Sequence, residues 1–327
     1  MKALVIDKHD QSIEATVRQV NPADLPEGDV TIEVSYSSIN YKDAMVMRGL
    51  GGMVREYPHI PGIDLVGKIV ESRSDRFRPG DPVILTGHRV GESRWGGYAQ
   101  LARVQSDWLI PLPKGFTLKR AMALGTAGLT AMLSVMALES HGIRTDGLPV
   151  LVTGATGGVG TLSIMILHAL GYSVLASTGK TDRYDDLRQL GANEIIARDS
   201  LACPPTKALD KQSWSGCIDS VGGVTLSHIL SKTASRGAVV AVGLAGGAEL
   251  KTSLTPFLLR GVNLLGVASA SCPTELRLTA WNRLAQTVPF DLLDKITRTV
   301  SLEDLPTVAD EMLAGRSWGR TVVDVNA

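Results

Sequence analysis

The pattern of apolar and polar positions changes character twice along the chain. Residues Pro149-Val150-Leu151-Val152 form a short apolar run of the kind that makes a strand buried on both faces. Thr161 to Leu170 is almost continuously apolar and stops at Gly171, which predicts a buried helix with a glycine stop. Tyr172 to Ser177 then reads as a second strand, Asp182 to Leu190 as a helix closed by Gly191, and Glu194 to Ala197 as a third strand. Strand and helix in alternation predict an α/β unit with a parallel sheet. The sheet continues through Cys217-Ile218-Asp219, Ala238 to Val242 and Asn263 to Val267, with helices over Thr225 to Thr233 and Thr274 to Gln286.

The first 120 or so residues have a different texture. Lys2 to Ile6, Val30 to Tyr36, Leu65 to Glu71, Pro82 to Leu85 and Tyr98 to Val104 are short strand-like runs. They are separated by turn signals such as Pro26-Glu27-Gly28-Asp29 and Arg78-Pro79-Gly80-Asp81. This predicts an all-β, barrel-like domain with one short helix, Lys42 to Met47. A helical stretch begins near Ala121 to Gly128 and continues through Thr130 to Glu139. A closing helix, Leu302 to Leu313, and a last strand, Arg320 to Val325, can return to the first domain. The expected division is residues 1–121, completed by 292–327, and residues 122–291. A chain of 327 residues is long for a single core, so two domains are the default.

Between the strand at 149–152 and the helix at 161–170 lies Val152-Thr153-Gly154-Ala155-Thr156-Gly157-Gly158-Val159-Gly160. Glycines at 154, 157 and 160 let the backbone turn tightly and approach phosphate oxygens, and the unpaired amides of the helix start supply donors. The spacing is Gly-x-x-Gly-x-x-Gly rather than Gly-x-Gly-x-x-Gly, and a glycine cluster alone is weak; the strand and helix order that follows reads it as a dinucleotide-binding turn, the alternative being a loop that serves only close packing. An acid at the end of the second strand would hold ribose hydroxyls, yet that stretch is Ser177-Thr178-Gly179-Lys180. Two hydroxyls and an ammonium suit a ribose 2′-phosphate, and Arg198 past the third strand can add a bidentate grip. NADPH rather than NADH is the expected cofactor. Asp182 reads as the N-cap of its helix.

Thirty-three basic and 33 acidic residues leave no net charge, and no run of like charges occurs, which argues against nucleic acid or an anionic membrane as a main partner. Hydrophobic residues make up 44%, but no uninterrupted apolar stretch approaches the length needed to cross a bilayer, and Met1 to Asp7 lacks a signal-peptide layout. A soluble, cytoplasmic protein is the expectation. Cys203, Cys217 and Cys272 lie 14 and 55 residues apart, without paired spacing, and the six histidines are scattered without a Glu or Cys partner. Neither a structural nor a catalytic metal is expected.

Taken in order, several segments resemble one family. The N-terminal β domain, the mid-chain Gly-x-x-Gly-Gly-Val-Gly turn, Gly125-Thr126-Ala127-Gly128-Leu129-Thr130-Ala131 and Ile218-Asp219-Ser220-Val221-Gly222-Gly223 are similar to the zinc-free quinone-oxidoreductase branch of the medium-chain dehydrogenase/reductase superfamily. Ser37-Ser38-Ile39-Asn40-Tyr41-Lys42-Asp43, Pro61-Gly62-Ile63-Asp64, Trp95-Gly96-Gly97 and Gly243-Leu244-Ala245-Gly246-Gly247 narrow the resemblance to NADPH-dependent acrylyl-coenzyme A reductases. The resemblance implies a GroES-like β-barrel catalytic domain, a doubly wound Rossmann domain, NADPH, an acyl-coenzyme A substrate and a homodimer joined through the nucleotide-binding domains. Zinc-dependent relatives carry a catalytic Cys and a Gly-His-Glu motif where this chain has Asn40 or its neighbours and Gly62-Ile63-Asp64.

The implied chemistry is reduction of a carbon–carbon double bond conjugated to a thioester. Such a step needs an oriented nicotinamide, donors toward the carbonyl oxygen and exclusion of water. By resemblance Tyr41 lies against the nicotinamide end of the cofactor and can donate a proton or hydrogen bond, or it is a packed tyrosine. Asn40 can donate its amide to a carbonyl or ribose oxygen, or form a turn. Asp43 reads as a cap or ion-pair partner. Thr156, Gly157, Gly158 and Val159 fall on the pyrophosphate; Ser177, Thr178, Gly179, Lys180 and Arg198 fall on the adenosine phosphate. Leu244 and Val267 either line the nicotinamide pocket or are strand-end packing. Arg320 can face the cofactor or the coenzyme A phosphates, or make a surface ion pair. Arg48, Arg55 and Arg94 are candidates for a basic entrance. An NADPH quinone reductase would use the same fold and cofactor, and an NADPH-regulated binding or structural protein is the alternative of another class.

Overall fold

Leu4, Val5 and Ile6 form a continuous apolar run. In the computed structural model, which describes residues 1–10 and 12–327, this run lies in strand β1 (Lys2–His9), paired antiparallel with β2 (Ser12–Gln19). Next, β3 (Val30–Ser38) sends Ile32 and Val34 fully into the core and leaves Glu33 exposed. A fully buried side chain of this kind stabilises by about 1.5–3 kcal/mol. One edge of β3 pairs with β4 (Asp64–Ser72), which pairs in turn with β5 (Pro82–Thr86). Its other edge pairs with β6 (Leu101–Val104), and the short β7 (Ile110–Pro111) follows β5. Helix α1 (Tyr41–Met47) leaves the end of β3, burying Ala44, Val46 and Met47. The chain then enters α2 (Leu118–Ser140), kinked at Gly125 (φ 50°, ψ −149°).

Six parallel strands follow: β8 (Val150–Val152), β9 (Val174–Thr178), β10 (Glu194–Ala197), β11 (Trp214–Asp219), β12 (Thr233–Ala241) and β13 (Asn263–Gly266). They lie in the order β10-β9-β8-β11-β12-β13. Winding proceeds outward one way from β8 and then the other way from β11, so the switch point falls between these two strands, where doubly wound sheets bind ligands. Helices α3 (Gly158–Ala169), α4 (Tyr184–Gln189), α5 (Gly223–Lys232) and α6 (Thr255–Arg260) alternate with the strands. Leu151, Leu175, Trp214, Cys217, Ile229 and Val239 form the core beneath the sheet.

The last segment comprises α7 (Thr274–Thr287), α8 (Phe290–Lys295), β14 (Thr297–Val300), α9 (Leu305–Leu313) and β15 (Arg320–Asp324). Strand β15 pairs antiparallel with the end of β3 and parallel with β14, completing a seven-stranded sheet. Two compact units result: residues 1–126 with 270–285 and 293–327, and residues 127–269 with 286–292. Residues 270–285 thus join the first unit, whereas the sequence boundaries assign them to the nucleotide-binding part. Arg277 gives the physical reason. Its buried guanidinium donates to the carbonyl (2.7 Å) and hydroxyl (2.8 Å) of Thr86 at the end of β5.

Helix α2, whose apolar residues are interrupted by Gly125, Thr126, Gly128, Thr130 and Ser134, is long and apolar enough by composition to cross a membrane, with a mean hydropathy of 1.7. However, 83% of its apolar window is buried, so it is a core helix.

Candidate cofactor and active site

The second unit concentrates its candidate residues at the carboxyl ends of its parallel strands. After β8 the backbone turns through Gly154 at φ 57°, where a side chain would collide with the Ser220 hydroxyl. At Gly160, a Cβ would collide with the Gly154 carbonyl and the Ala155 backbone, so glycine lets α3 approach the turn closely. Gly157 has a different role. It is the extended N-cap of α3 (φ −82°, ψ 174°), and a Cβ there would meet only the Gly154 carbonyl, at 3.3 Å. The open space beside Gly157 faces the first amides of α3, those of Gly158, Val159 and Gly160, which have no partner within the helix. Thr156 is buried in the turn.

Strand register brings the second group together. Thr178 of β9 pairs with Ala197 of β10, so Gly179 and Arg198 leave the sheet side by side. The Arg198 guanidinium carbon lies 3.1 Å from where a Gly179 Cβ would be, so a side chain at 179 would displace the arginine. The Lys180 amide donates to the Thr178 hydroxyl (3.1 Å), which fixes the turn. Burial lowers the Lys180 pKa, against the opposing field of Asp182. Ser177 is buried, and its carbonyl accepts from the Ala155 amide (3.2 Å), joining this edge to the glycine turn. Asp182 is not an N-cap: it sits in a 3-10 turn, Thr181–Arg183, and pairs with Arg183 at 3.3 Å. Leu244 is 62% exposed past β12, and Val267 is half-buried past β13.

One residue of this edge was given no role by sequence reasoning. Asp219, buried at the end of β11, accepts from the Thr153 hydroxyl (2.5 Å) and from the amides of Gly222 (2.8 Å) and Val221 (3.3 Å). Burial raises its pKa, and these hydrogen bonds oppose the rise. It clamps the ends of β8 and β11 together at the switch point. An acid closing the apolar run Cys217-Ile218 was the available signal.

In the first unit, a buried polar network surrounds Asp64. Its carboxylate accepts from the Ser38 hydroxyl (2.6 Å), the Asn40 side-chain amide (2.8 Å), the Thr126 hydroxyl (2.5 Å) and the Thr126 amide (2.9 Å). The kink at Gly125 frees that last amide from helical pairing. Asp43 caps α1, accepting from the Asn40 amide (2.9 Å), and its other oxygen accepts from the Ile63 amide (2.9 Å). Burial and the neighbouring Asp64 push the Asp43 pKa up to about 7. The same burial pushes the Tyr98 hydroxyl well up.

Two expectations are corrected here. Arg320 faces neither cofactor nor coenzyme A phosphates, and it makes no surface ion pair. It is 3% exposed and donates to the Ala123 carbonyl (2.6 Å), the Ser38 hydroxyl (3.1 Å) and the Asn40 side-chain oxygen (3.3 Å). Asn40 does not present its amide outward; it is the non-helical N-cap of α1, and its side-chain nitrogen and oxygen are both engaged in the network. Tyr41, the next residue, is 45% exposed. Of the basic entrance candidates, Arg48 is bound to Asp310 (2.7 Å), whereas Arg94 stacks over Trp108. Asn40 and Asp64 bond to each other. Among the described residues no three His, Cys, Asp or Glu side chains group to hold a metal ion.

Comparison with known proteins adds the following. Residues 26–114 match the alcohol dehydrogenase GroES-like domain, and residues 158–286 match the zinc-binding dehydrogenase family. The acrylyl-CoA reductase AcuI of Ruegeria pomeroyi is 50% identical over 99% of both chains. The crystal structure of Escherichia coli K-12 YhdH with bound NADPH is similar at a TM-score of 0.97 and 44% identity, covering 99% of this chain and 100% of that one. That of Bacillus subtilis YhfP with NAD bound is similar at a TM-score of 0.95 and 45% identity, covering 99% of each.

Proposed function

The chain belongs to the acrylyl-coenzyme A reductase family, in the zinc-free quinone-oxidoreductase branch of the medium-chain dehydrogenase/reductase superfamily, and we propose that it reduces acrylyl-coenzyme A to propionyl-coenzyme A with NADPH. The observation that carries the cofactor reading is the open cradle at Gly157 before the free amides of α3, with Lys180 and Arg198 at the neighbouring strand ends. When bound, NADPH supplies the hydride for the β-carbon of the conjugated bond. Thr156, Gly157, Gly158 and Val159 hold the pyrophosphate, with the helix dipole reinforcing the amides. Lys180 and Arg198 pair with the 2′-phosphate beside Ser177, Thr178 and Gly179. Leu244 and Val267 offer apolar surface to the nicotinamide. The division into a GroES-like catalytic domain and a Rossmann domain goes with these roles.

In the first unit, the Asp64 network fixes Asn40, and Asn40 begins α1. That anchors the backbone of Tyr41, whose exposed hydroxyl donates toward the thioester oxygen as charge develops there. Asn40 and Arg320 act through position, not by touching substrate.

The test is NADPH oxidation with acrylyl-coenzyme A, crotonyl-coenzyme A and 1,4-benzoquinone measured side by side. Acrylyl-coenzyme A should give the highest kcat/KM; turnover of the quinone alone would reject the thioester reading. In the same assay Tyr41→Phe is expected to lower kcat by roughly 10- to 100-fold with NADPH affinity unchanged. An unaltered kcat removes the hydroxyl from the chemistry.

A homodimer fits the apolar surface at one end of the six-stranded sheet. Leu254, Leu258 and Leu259 are 71%, 76% and 71% exposed next to the edge strand β13, and Leu264 on that strand is also exposed. Sedimentation as a monomer would exclude it. A cytoplasmic location, readable by cell fractionation, suits a cofactor kept reduced there and three unpaired cysteines.

A further inference from the structure

The turn after β5 holds an unusual backbone. His88 and Arg89 are consecutive left-handed residues (φ 54° and 61°) without being glycine, between Gly87 and Gly91, which are also left-handed. Such geometry persists only when its surroundings enforce it, and it gathers at ligand clamps. Here the surroundings do enforce it. The His88 amide donates to the Ala270 carbonyl (3.0 Å), and a side chain at Gly87 would collide with that carbonyl. Farther along, the amides of Glu92 and Ser93 both donate to the Arg89 carbonyl (3.1 Å each), and the Gly91 amide donates to the Arg94 carbonyl (2.8 Å). Arg89 and Arg94 therefore stand on one rigid turn.

Charge on this turn is unbalanced in one direction. Glu92, its acid, is paired with Lys42 at 3.0 Å, and Asp107, beside Trp108, is paired with Arg76 at 2.6 Å. No carboxylate pairs with Arg89 or Arg94 among the described residues, and both are exposed. Arg94 is held in place by its guanidinium, 4.3 Å from the centre of the Trp108 ring, which also stacks on His88. A guanidinium lying on an indole keeps its outer N–H edge for an anion and loses little freedom when it binds one. Burial, with Arg277 and Arg94 nearby, lowers the His88 pKa to about 4, so the two arginines supply the charge at neutral pH.

We propose that residues 87–94 form the subsite for the phosphates of the substrate's nucleotide handle, with Arg89 and Arg94 as the groups that bind them. The proposal rests on the enoyl-thioester reading above and adds to it where the non-reacting end of the substrate is gripped. Binding energy realised there is remote from the chemistry. It should therefore appear in KM for the full coenzyme A ester and be absent for a short thioester.

The experiment compares acrylyl-coenzyme A with acrylyl-N-acetylcysteamine, which lacks phosphates, in the wild type, Arg89→Ala and Arg94→Gln. Each variant is expected to raise KM for the coenzyme A ester about tenfold with kcat preserved, and to leave kcat/KM for the short thioester within about twofold. Calorimetry with adenosine 3′,5′-bisphosphate on NADPH-saturated enzyme gives a second readout, in which the variants should bind at least about fivefold more weakly with NADPH affinity unaltered. Equal losses for both thioesters, or none for the coenzyme A ester, would overturn the subsite, as would wild-type protein that takes up no bisphosphate. If Arg94→Gln disturbs the Trp108 stack and lowers the melting temperature, Arg89→Ala alone decides, because the Arg89 side chain has no ion-pair partner to lose among the described residues. Wild-type enzyme that reduces neither thioester would instead overturn the parent reading, and the subsite with it.

Discussion

Replacing Lys180 and Arg198 together by alanine is expected to weaken NADPH binding by about 100-fold while leaving NADH within about threefold. The argument begins with strand register. Because Thr178 pairs with Ala197, the residues that follow these strand ends are forced together, and Arg198 lies over Gly179 with no side chain between them. Lys180 is half-buried at the same place, and the only nearby acid on the β9 side, Asp182, is paired with Arg183. A 2′-phosphate there meets two cations, one of which, Arg198, it shares with the exposed Asp199 at 3.5 Å. Charge-assisted bonds contribute about 1.5–3 kcal/mol each, and the 64% exposure of the Arg198 side chain argues for the lower end. Two such bonds amount to about 3 kcal/mol, or roughly two orders of magnitude in Kd. Fluorescence titration with both nucleotides reads the result. Equal losses for NADPH and NADH would show that these side chains do not distinguish them, and the preference would have to come from elsewhere.

The parallel sheet and its glycine turn were legible because each has a local cause. Strands buried on both faces show as apolar runs, and Gly154 and Gly160 are required by a backbone angle and a close approach within a few residues of themselves. Features fixed at long range were not legible. Strand β2 is half-exposed along most of its length, so Ser12 to Gln19 offers no apolar run. Arg277 joins residues 270–285 to Thr86 across 191 positions, and Arg320 meets Asn40 across 280; neither sequence neighbourhood carries a signal of its partner. Asn40 illustrates the limit best. Its residue type permits both a turn and an outward donor, and only the distant Asp64 and Arg320 decide that both ends of its amide are used inside the fold. The left-handed turn at His88 and Arg89 was equally hidden, since arginine is rare there and the enrichment of histidine is too slight to mark one position.

Arg320→Met is expected to cost about 3–5 kcal/mol of stability, lowering the melting temperature by roughly 4–7 °C at neutral pH, because it removes the cation from a buried network that contains two carboxyl groups. The guanidinium is nearly inaccessible, and its three acceptors lie on two segments, Ala123 on one and Ser38 and Asn40 on the other, so its loss leaves each of them without that donor. The pH dependence distinguishes this from simple loss of packing. Asp43 has its folded pKa raised from 3.8 to about 7, so between these values the folded chain keeps a proton that the unfolded chain has lost. Its contribution to stability therefore falls as pH rises from about 4 to about 7 and is level above that. Without the guanidinium, ionised Asp43 loses a favourable field, its folded pKa rises further, and the fall extends into alkaline solution. The difference in melting temperature between wild type and variant should widen from pH 6 to pH 9, as followed by calorimetry. Arg320 feels both Asp64 and Asp43, so a second substitution, Asp43→Asn, removes one of the two carboxyls, and the difference between Asp43→Asn and Asp43→Asn/Arg320→Met should change less over that range. A gap that is constant in the presence of Asp43 would mean that Arg320 stabilises the fold through its neutral hydrogen-bond acceptors alone.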